Sequence, residues 1–268
     1  LFKGRMKHEL IKSLEEISLK AGEYLLVSQQ KLDILTVEEK TANQLVSEVD
    51  VNTEKMIVAH LSKDFPEAGF ITEEGTSAQN EKELHFIIDP LDGTTNFLHG
   101  LGVYCTSIAA VYKNELVAAA IYVPVTKEMF TATKGDGAFL NGISIAVSKT
   151  DRLSNSLIAT GFPYYNFEGK ENYIKSLDFY MQNTRGLRRM GSAAIDLAYT
   201  ACGRFCAFFE MHLSTWDVAA GILIIEEAGG KVSKFNGDKR DWSGKEIAAS
   251  NKNLNKDFVA VLQKHFTN

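Results

Sequence analysis

The chain has 268 residues, enough for one or two domains, and its 29 Lys and Arg against 34 Asp and Glu give a formal charge of −5. This mildly acidic balance argues against nucleic acid or an anionic membrane as a general electrostatic partner. There is no stretch of about 18 apolar residues and no signal-peptide core, so we expect a soluble, cytoplasmic protein with no membrane partner.

The N-terminal region predicts two helices separated by an irregular segment. Apolar residues recur at helical spacing from Leu10 to Leu25, which predicts an amphipathic helix over about 7–29. A short strand at 34–36 and a charged loop at 38–41 follow. A second helical face begins behind Asp50, and the simplest explanation of Asp50 is an acid that stabilises the start of that helix.

A pair of glutamates ends the next short strand. Residues 70–71 are apolar, and Glu73 and Glu74 follow them directly. Neighbouring glutamates are usually solvated surface charge, so this pair by itself favours no function.

The segment 89–96 (DPLDGTTN) carries the strongest chemical signal. It follows the apolar run 86–88, and Pro90 biases Asp89 towards the extended end of a strand. Gly93 and Thr94 then begin a short helix whose free N–H groups favour an anion. Two carboxylates beside a phosphate require a hard cation between them, although Asp-Gly pairs also occur in ordinary turns. The motif therefore leaves open a metal-phosphate site or a plain turn.

The rest of the chain alternates strands and helices. Short apolar runs with turn signals over 105–148 predict an antiparallel meander. A strand at 156–160, a helix at about 169–182, a helix from 195, and a strand at 205–210 follow. A helix at 216–228, strands at 232–235 and 247–250, and a closing helix complete the pattern. Arg188 and Arg189, before the helix start at 191–194, could bind an anion or remain solvated, and Asp217 could simply complement a helix dipole.

Three of these segments together resemble a known family. The stretch 89–100 (DPLDGTTNFLHG) is similar to the signature of the inositol monophosphatase family, and 216–221 (WDVAAG) resembles its downstream metal-binding segment. The stretch 70–75 (FITEEG) resembles its Glu-Glu segment. The three occur in the family's order and span most of the chain.

The resemblance implies an α+β fold, the layered αβαβα sandwich shared with fructose bisphosphatases. It implies a single domain over 1–268, with an N-terminal half of about 1–150, a C-terminal half of about 151–268 and the site between them. It also implies a homodimer.

The resemblance further implies the site residues. Two or three Mg²⁺ ions, with Mn²⁺ as a possible substitute, would be held by Glu73, Asp89, the carbonyl of Leu91, Asp92 and Asp217. The attacking water would be oriented by Glu73, Asp50 and Thr94, with Asp50 hydrogen-bonded to Thr94. Substrate would be bound by Asp92, Gly93, Thr94, Gly191, Ser192, Ala193 and Glu210.

The implied reaction is Mg²⁺-dependent hydrolysis of a small phosphorylated polyol by direct attack of water. Glu210 favours a polyol monophosphate such as myo-inositol monophosphate, because a carboxylate accepts hydroxyl hydrogen bonds and repels a second phosphate. The same frame also serves fructose 1,6-bisphosphate, histidinol phosphate and 3′-phosphoadenosine 5′-phosphate. An alternative of another class is a regulatory protein that binds macromolecules on a phosphatase frame.

Overall fold

The computed structural model describes residues 4–31, 37–41, 44–163 and 167–266. Its α-helices are α1 (Gly4–Gln29), α2 (Glu48–Asp64), α3 (Thr94–Leu98), α4 (Lys170–Asn183), α5 (Ala193–Ala201), α6 (Thr215–Glu227) and α7 (Asn255–Phe266). Its strands are β1 (Val37–Thr41), β2 (Gln44–Ser47), β3 (Gly69–Thr72), β4 (Leu84–Asp92), β5 (Cys105–Tyr112), β6 (Glu115–Val123), β7 (Glu128–Thr133), β8 (Gly137–Leu140), β9 (Ile143–Ser144), β10 (Leu157–Thr160), β11 (Gly186–Arg188), β12 (Ala207–Met211), β13 (Lys231–Ser233) and β14 (Glu246–Ser250). A short 3₁₀ helix covers Leu153–Asn155.

Two large sheets organise the molecule. The first has seven strands in the order β3-β4-β5-β6-β7-β8-β9, and the second has five in the order β11-β10-β12-β14-β13. Strands β3 and β4 are parallel, whereas β4 to β9 pair antiparallel in succession, which confirms the predicted meander.

The alternation of side chains along β4 shows how the first sheet is covered on both faces. Phe86 and Ile88 pack with apolar residues of α1 and α2, such as Leu14 and Ile57. Ile87 points to the opposite face, into the core formed with α5 and α6. A strand buried on both faces reads as a continuous apolar run, which explains the sequence at 86–88.

Helices α5 and α6 form the middle layer between the two sheets. Every residue from Val218 to Ile225 in α6 is buried, because one side of the helix meets the first sheet and the other meets the second sheet and α5. A Cβ at Gly221 would lie 2.5 Å from the Cβ of Leu197, so the two helices approach too closely for a side chain there.

The outer face of the second sheet is covered by α4 and α7. Their buried residues Tyr173, Tyr180 and Phe258 pack on Phe209 of β12. The layer order is therefore helices, sheet, helices, sheet, helices, and the predicted α+β sandwich of the αβαβα type is confirmed.

The structure contradicts one local prediction and does not describe the residues of another. The loop expected at 38–41 is wrong, because these residues belong to β1, which pairs antiparallel with β2. Pairing with a neighbouring segment satisfies the backbone there, and the charged local sequence does not reveal it. The strand expected at 34–36 lies outside the described residues. Within the described part of the chain, no helix is both long and apolar enough to cross a membrane.

Candidate active site

Three aspartates from two distant parts of the chain converge at the end of β4. Asp89, Asp92 and Asp217 each offer a carboxylate oxygen, and these oxygens all lie within 4.8 Å of one another. Asp89 and Asp92 flank an irregularity in the pairing of β4 with β5, at the position of Pro90. Proline donates no ladder hydrogen bond and therefore suits such a bulge, which turns both carboxylates towards one place.

Asp217 reaches this place from the first turn of α6. One of its oxygens, Oδ2, accepts a hydrogen bond of 2.6 Å from the backbone N–H of Ser214, so the side chain caps its own helix. The helix-capping explanation and the predicted ligand role are thus compatible, because a carboxylate has a second oxygen.

Glu73 joins the three aspartates because β3 runs parallel to β4. Parallel strands end at the same edge of a sheet, and the N–H of Glu73 donates to the carbonyl of Ile88, 3.3 Å away, just before Asp89. The Glu73 and Asp89 side chains are hydrogen-bonded to each other. We call Glu73, Asp89, Asp92 and Asp217 the acidic cluster.

The acidic cluster is partly withdrawn from solvent and short of positive charge: Asp89 is buried, and the other three residues are half-buried. Burial is the main cause that raises the pKa of Glu73 and of Asp89 well above the usual range, and the neighbouring carboxylates add to it. The pKa of Asp92 rises to about 6 and that of Asp217 to about 7, again chiefly through burial. Buried carboxylates that repel one another have a high affinity for a cation that supplies the missing charge, and oxygen donors suit a hard divalent ion.

The turn after Asp89 is held by its own hydrogen bonds. Leu91 donates its N–H to Asp89 Oδ1 (2.9 Å), and the Thr94 hydroxyl donates to the Leu91 carbonyl (3.0 Å). Gly93 has φ 95°, and a Cβ there would lie 2.8 Å from the carbonyl oxygen of Val103, so glycine is required before α3. The predicted short helix at this point is present as α3.

Asp50 lies in the first turn of α2 and is buried, close enough to Glu73 to contribute to its raised pKa. This places it beside the acidic cluster, as the resemblance implied. Its hydrogen bond to Thr94 stays a prediction, since the Thr94 hydroxyl donates to Leu91 here.

The start of α5 forms the wall opposite α3. Ser192 caps the helix by accepting the N–H of Ile195 (3.2 Å), and its hydroxyl donates to Asp92 Oδ2 (2.6 Å). Ala194 donates its N–H to the same oxygen at 2.7 Å. Asp92 therefore links the two halves of the chain, and this brings the segment 191–193 to the acidic cluster.

Glu210, on β12, faces the same cavity, which has a volume of about 470 Å³. The side chain is 8% exposed, and burial raises its pKa to about 8 against the opposing effect of Arg189. Arg189 also lines the cavity, with its guanidinium 5.1 Å from the ring centre of Phe162. Besides the acidic cluster, the cavity lining thus includes the carboxyls of Glu210 and Asp196 and the guanidinium of Arg189.

Comparison with known proteins decides the family. The model described as the inositol monophosphatase family matches residues 6–266. The chain belongs to the inositol monophosphatase family. It is 42% identical to Nus factor SuhB of Pseudomonas aeruginosa over 250 residues, which are 91% of this chain and 92% of that protein. It is 37% identical to inositol-1-monophosphatase of Mesorhizobium japonicum over 256 residues, 95% and 96% of the two chains.

Solved structures of family members have the same fold. The extragenic suppressor protein suhB from Bartonella henselae superimposes with a TM-score of 0.90 at 39% identity, over 95% of this chain and 98% of that one. An IMPase/NADP phosphatase complexed with Mg²⁺ and phosphate superimposes with a TM-score of 0.78 at 25% identity, over 89% and 90%. The resemblance seen in three short segments is confirmed over nearly the whole chain.

The sequence predicted no role for three residues that shape the site of this family member. Asn96 donates through Nδ2 to the carbonyls of Val103 (2.7 Å) and Met190 (2.9 Å), and so joins α3 to the segment before α5. Gly161 lies against Glu210, where a Cβ would be 2.0 Å from Oε1. Asp196, 1% exposed, contributes to the cavity wall. Each role depends on a contact between residues far apart in the chain, which no local pattern indicates.

Proposed function

We propose that this family member is a Mg²⁺-dependent phosphatase of small phosphomonoesters, with myo-inositol monophosphate as the substrate that fits best. The observation that carries the proposal is that the acidic cluster and the separate carboxyl of Glu210 line one cavity. The cluster suits metal and phosphate, and Glu210 suits a polyol. Relatives named inositol-1-monophosphatase support the same reaction class.

The residues of the cluster fit Mg²⁺. Desolvation raises the pKa of all four carboxyls, and repulsion from neighbouring carboxylates adds to it for Glu73, Asp89 and Asp217. The cluster therefore requires positive charge, and it offers oxygen atoms alone. We assign the ions, two or three in number, to the acidic cluster and the Leu91 carbonyl, with Mn²⁺ as a substitute. When bound, Mg²⁺ supplies Lewis-acid activation of water and neutralises the phosphate charge.

The protein groups orient the reactants. We assign the orientation of the attacking water to Glu73, which accepts a hydrogen bond from it, together with the neighbouring Asp50 and the Thr94 hydroxyl. Gly93 and Thr94 line the cavity, and we assign their N–H groups to the phosphate oxygens. Attack in line with the leaving oxygen then releases the polyol without any covalent enzyme intermediate.

The polyol end of the site is formed by Gly191, Ser192, Ala193 and Glu210. Glu210 accepts hydrogen bonds from hydroxyls when ionised and can also donate one when protonated. Arg189 nearby reduces the repulsion that Glu210 would exert on a second anionic group. Fructose 1,6-bisphosphate and 3′-phosphoadenosine 5′-phosphate, which carry a second phosphate, are therefore alternatives to test, and histidinol phosphate is a third because the same metal frame serves it.

The experiment is phosphate release from these four substrates, with Mg²⁺ and with chelator. Mg²⁺-dependent release that is fastest for inositol 1-phosphate supports the proposal. If another substrate is fastest, the metal assignment stands and the Glu210 argument fails. The absence of release from all four, with Mn²⁺ binding intact, would refute the phosphatase proposal.

A macromolecule-binding role is the second candidate, because the relative from Pseudomonas aeruginosa is named Nus factor SuhB. The double variant Asp89→Asn, Asp217→Asn separates the two functions. A partner captured equally by wild type and by the double variant would show a binding role independent of the metal site.

We further propose a cytoplasmic homodimer, as the resemblance implied. Sedimentation at several protein concentrations tests the dimer directly, and a monomer throughout that range would refute it.

A further inference from the structure

Glu54 is a fully buried carboxylate that holds the segment carrying Glu73. It lies in the middle of α2 and is 0% exposed. Its Oε2 accepts the backbone N–H of Glu74 at 2.7 Å. Its Oε1 accepts both the backbone N–H and the hydroxyl of Thr76, at 2.8 Å and 2.7 Å. All three donors therefore come from one short segment directly after β3.

Burying the Glu54 carboxylate costs free energy. A carboxylate loses strong hydration on burial, and the loss is offset only when its oxygens are well hydrogen-bonded. No ion pair recorded among the described residues includes Glu54, so three hydrogen bonds to the 74–76 segment provide that compensation. Hydrogen bonds to an ionised acceptor are short and strong, and two of these three fix backbone atoms.

The segment is fixed on both sides of Glu73. On the preceding side, Thr72 donates its N–H to Gln79 Oε1 (2.8 Å), and Gln79 Nε2 donates back to the Thr72 hydroxyl (3.0 Å). On the following side, Glu54 holds the N–H of Glu74. Glu73 itself donates to Ile88 of β4. Its backbone therefore has little freedom, and its carboxyl is directed at the acidic cluster.

Helix α2 supplies a second acid to the same place. Asp50 lies one turn before Glu54, at i and i+4, so the two side chains project from the same face of the helix. Asp50 is near Glu73, whereas Glu54 is bonded to the residues that follow Glu73. One helix thus carries both an acid near Glu73 and the carboxylate that holds the residues after Glu73.

We propose that Glu54 is a positioning residue, whose carboxylate fixes the backbone at 74–76 and thereby holds the Glu73 carboxyl in the geometry that binds metal. The role of Glu73 as a ligand rests on the function proposed above. Glu54 does not line the cavity and has no direct contact with substrate in this assignment.

The test uses Glu54→Gln with a matched control. Glutamine keeps the shape but replaces one acceptor oxygen with an NH₂ group that faces a donor. The control is Glu227→Gln, because Glu227 also fixes a turn by accepting two backbone N–H bonds, from Gly135 (2.8 Å) and Gly137 (3.0 Å), and does not line the cavity. Both variants are expected to lower the thermal midpoint, Glu54→Gln by more, because Glu54 is fully buried with three hydrogen bonds and Glu227 is half-buried with two.

The decisive measurement is Mn²⁺ affinity by electron paramagnetic resonance of the free ion, which requires no turnover. We expect Glu54→Gln to weaken binding by about 10- to 100-fold, the usual effect of losing an outer partner of a ligand, and Glu227→Gln to leave it unchanged. In phosphate-release assays the half-saturating Mg²⁺ concentration should rise in the same proportion, with an unchanged KM for substrate at saturating Mg²⁺. Unchanged Mn²⁺ affinity in Glu54→Gln, or equal losses in both variants, would overturn the proposal.

A milder variant decides the matter if Glu54→Gln fails to fold. Thr76→Val removes one donor to Glu54 and keeps the backbone N–H, so a smaller loss of Mn²⁺ affinity supports the proposal and an unchanged affinity refutes it. A wild-type protein that binds Mn²⁺ but releases no phosphate would contradict the proposed function, while the Mn²⁺ measurements would still judge Glu54.

Discussion

Replacing Gly161 with alanine should raise KM for inositol 1-phosphate, because the added methyl group displaces the Glu210 carboxyl. The added Cβ would lie 2.0 to 2.3 Å from the three carboxyl atoms of Glu210, so the carboxyl must move. The φ of Gly161 lies outside the left-handed region, and alanine therefore adds no backbone strain there. The perturbation is a displacement of one side chain at the polyol end of the cavity.

The magnitude follows from the hydrogen bonds that Glu210 would lose. Because burial raises the pKa of Glu210 to about 8, the assay is run above that pH, where the carboxyl is ionised. A hydrogen bond to a charged group then contributes about 1.5–3 kcal/mol, which corresponds to roughly a 10- to 100-fold change in affinity. We expect KM for inositol 1-phosphate to rise by that factor in Gly161→Ala. Hydrolysis of p-nitrophenyl phosphate, which has no hydroxyls for Glu210 to bind, should keep its KM and kcat.

A double-mutant cycle makes the reasoning refutable. In a Glu210→Ala background the clash is gone, so Gly161→Ala should cause no further rise in KM for inositol 1-phosphate. The reasoning fails if Gly161→Ala leaves that KM unchanged, or if the effects of the two substitutions add. A similar loss with p-nitrophenyl phosphate would show that the whole cavity had been disturbed.

Three further predictions concern the acidic cluster and the joint that Asn96 makes between α3 and the segment before α5. Asp217→Asn should fold, because an amide oxygen can still accept the Ser214 N–H, but should lose Mn²⁺ binding and phosphate release; turnover at the wild-type rate would contradict the ligand assignment. Because the pKa values of the cluster are raised, with Asp92 at about 6 and Asp217 at about 7, the metal-free folded state binds more protons than the unfolded state. Its free energy of unfolding should therefore fall as pH rises from about 4 to 7, and saturating Mg²⁺ should flatten that slope in chemical denaturation; an equal slope with and without Mg²⁺ would count against the site. Asn96→Leu removes two hydrogen bonds and should cost about 1–3 kcal/mol of unfolding free energy in the same assay, while an unchanged midpoint would show that this joint contributes nothing.

Local patterns predicted much of the fold. The helical spacing in α1 and α4 and the turn signals through 105–148 gave the elements to within a few residues. These signals depend on burying one side of a helix or both faces of a strand, which the order of apolar residues records directly. The hairpin of β1 and β2 was missed, because its charged sequence shows no such order and the pairing partner alone defines it.

Only some of the site residues could be predicted from the local sequence. The local sequence was enough to suggest a role for Asp89, Asp92 and Gly93, because the three lie within five residues of chain. Asp217 and Glu73 needed the family resemblance, since each has an adequate local explanation as a helix-capping acid or as surface charge. Their convergence on Asp89 became visible only once parallel pairing of β3 with β4 and the position of α6 were known.

The sequence by itself determined the types of side chain available, most of the helices and strands, and the turn that ends β4. The tertiary structure alone decided that Glu54 holds the segment after Glu73, that Gly161 makes room for Glu210, and that Ser192 meets Asp92 across 100 residues of chain. The physical reason is the separation along the chain over which each kind of interaction acts. Periodicity and turn chemistry act between neighbours in the chain, whereas desolvation, raised pKa values and close contacts arise only when two sheets and the helices between them pack together.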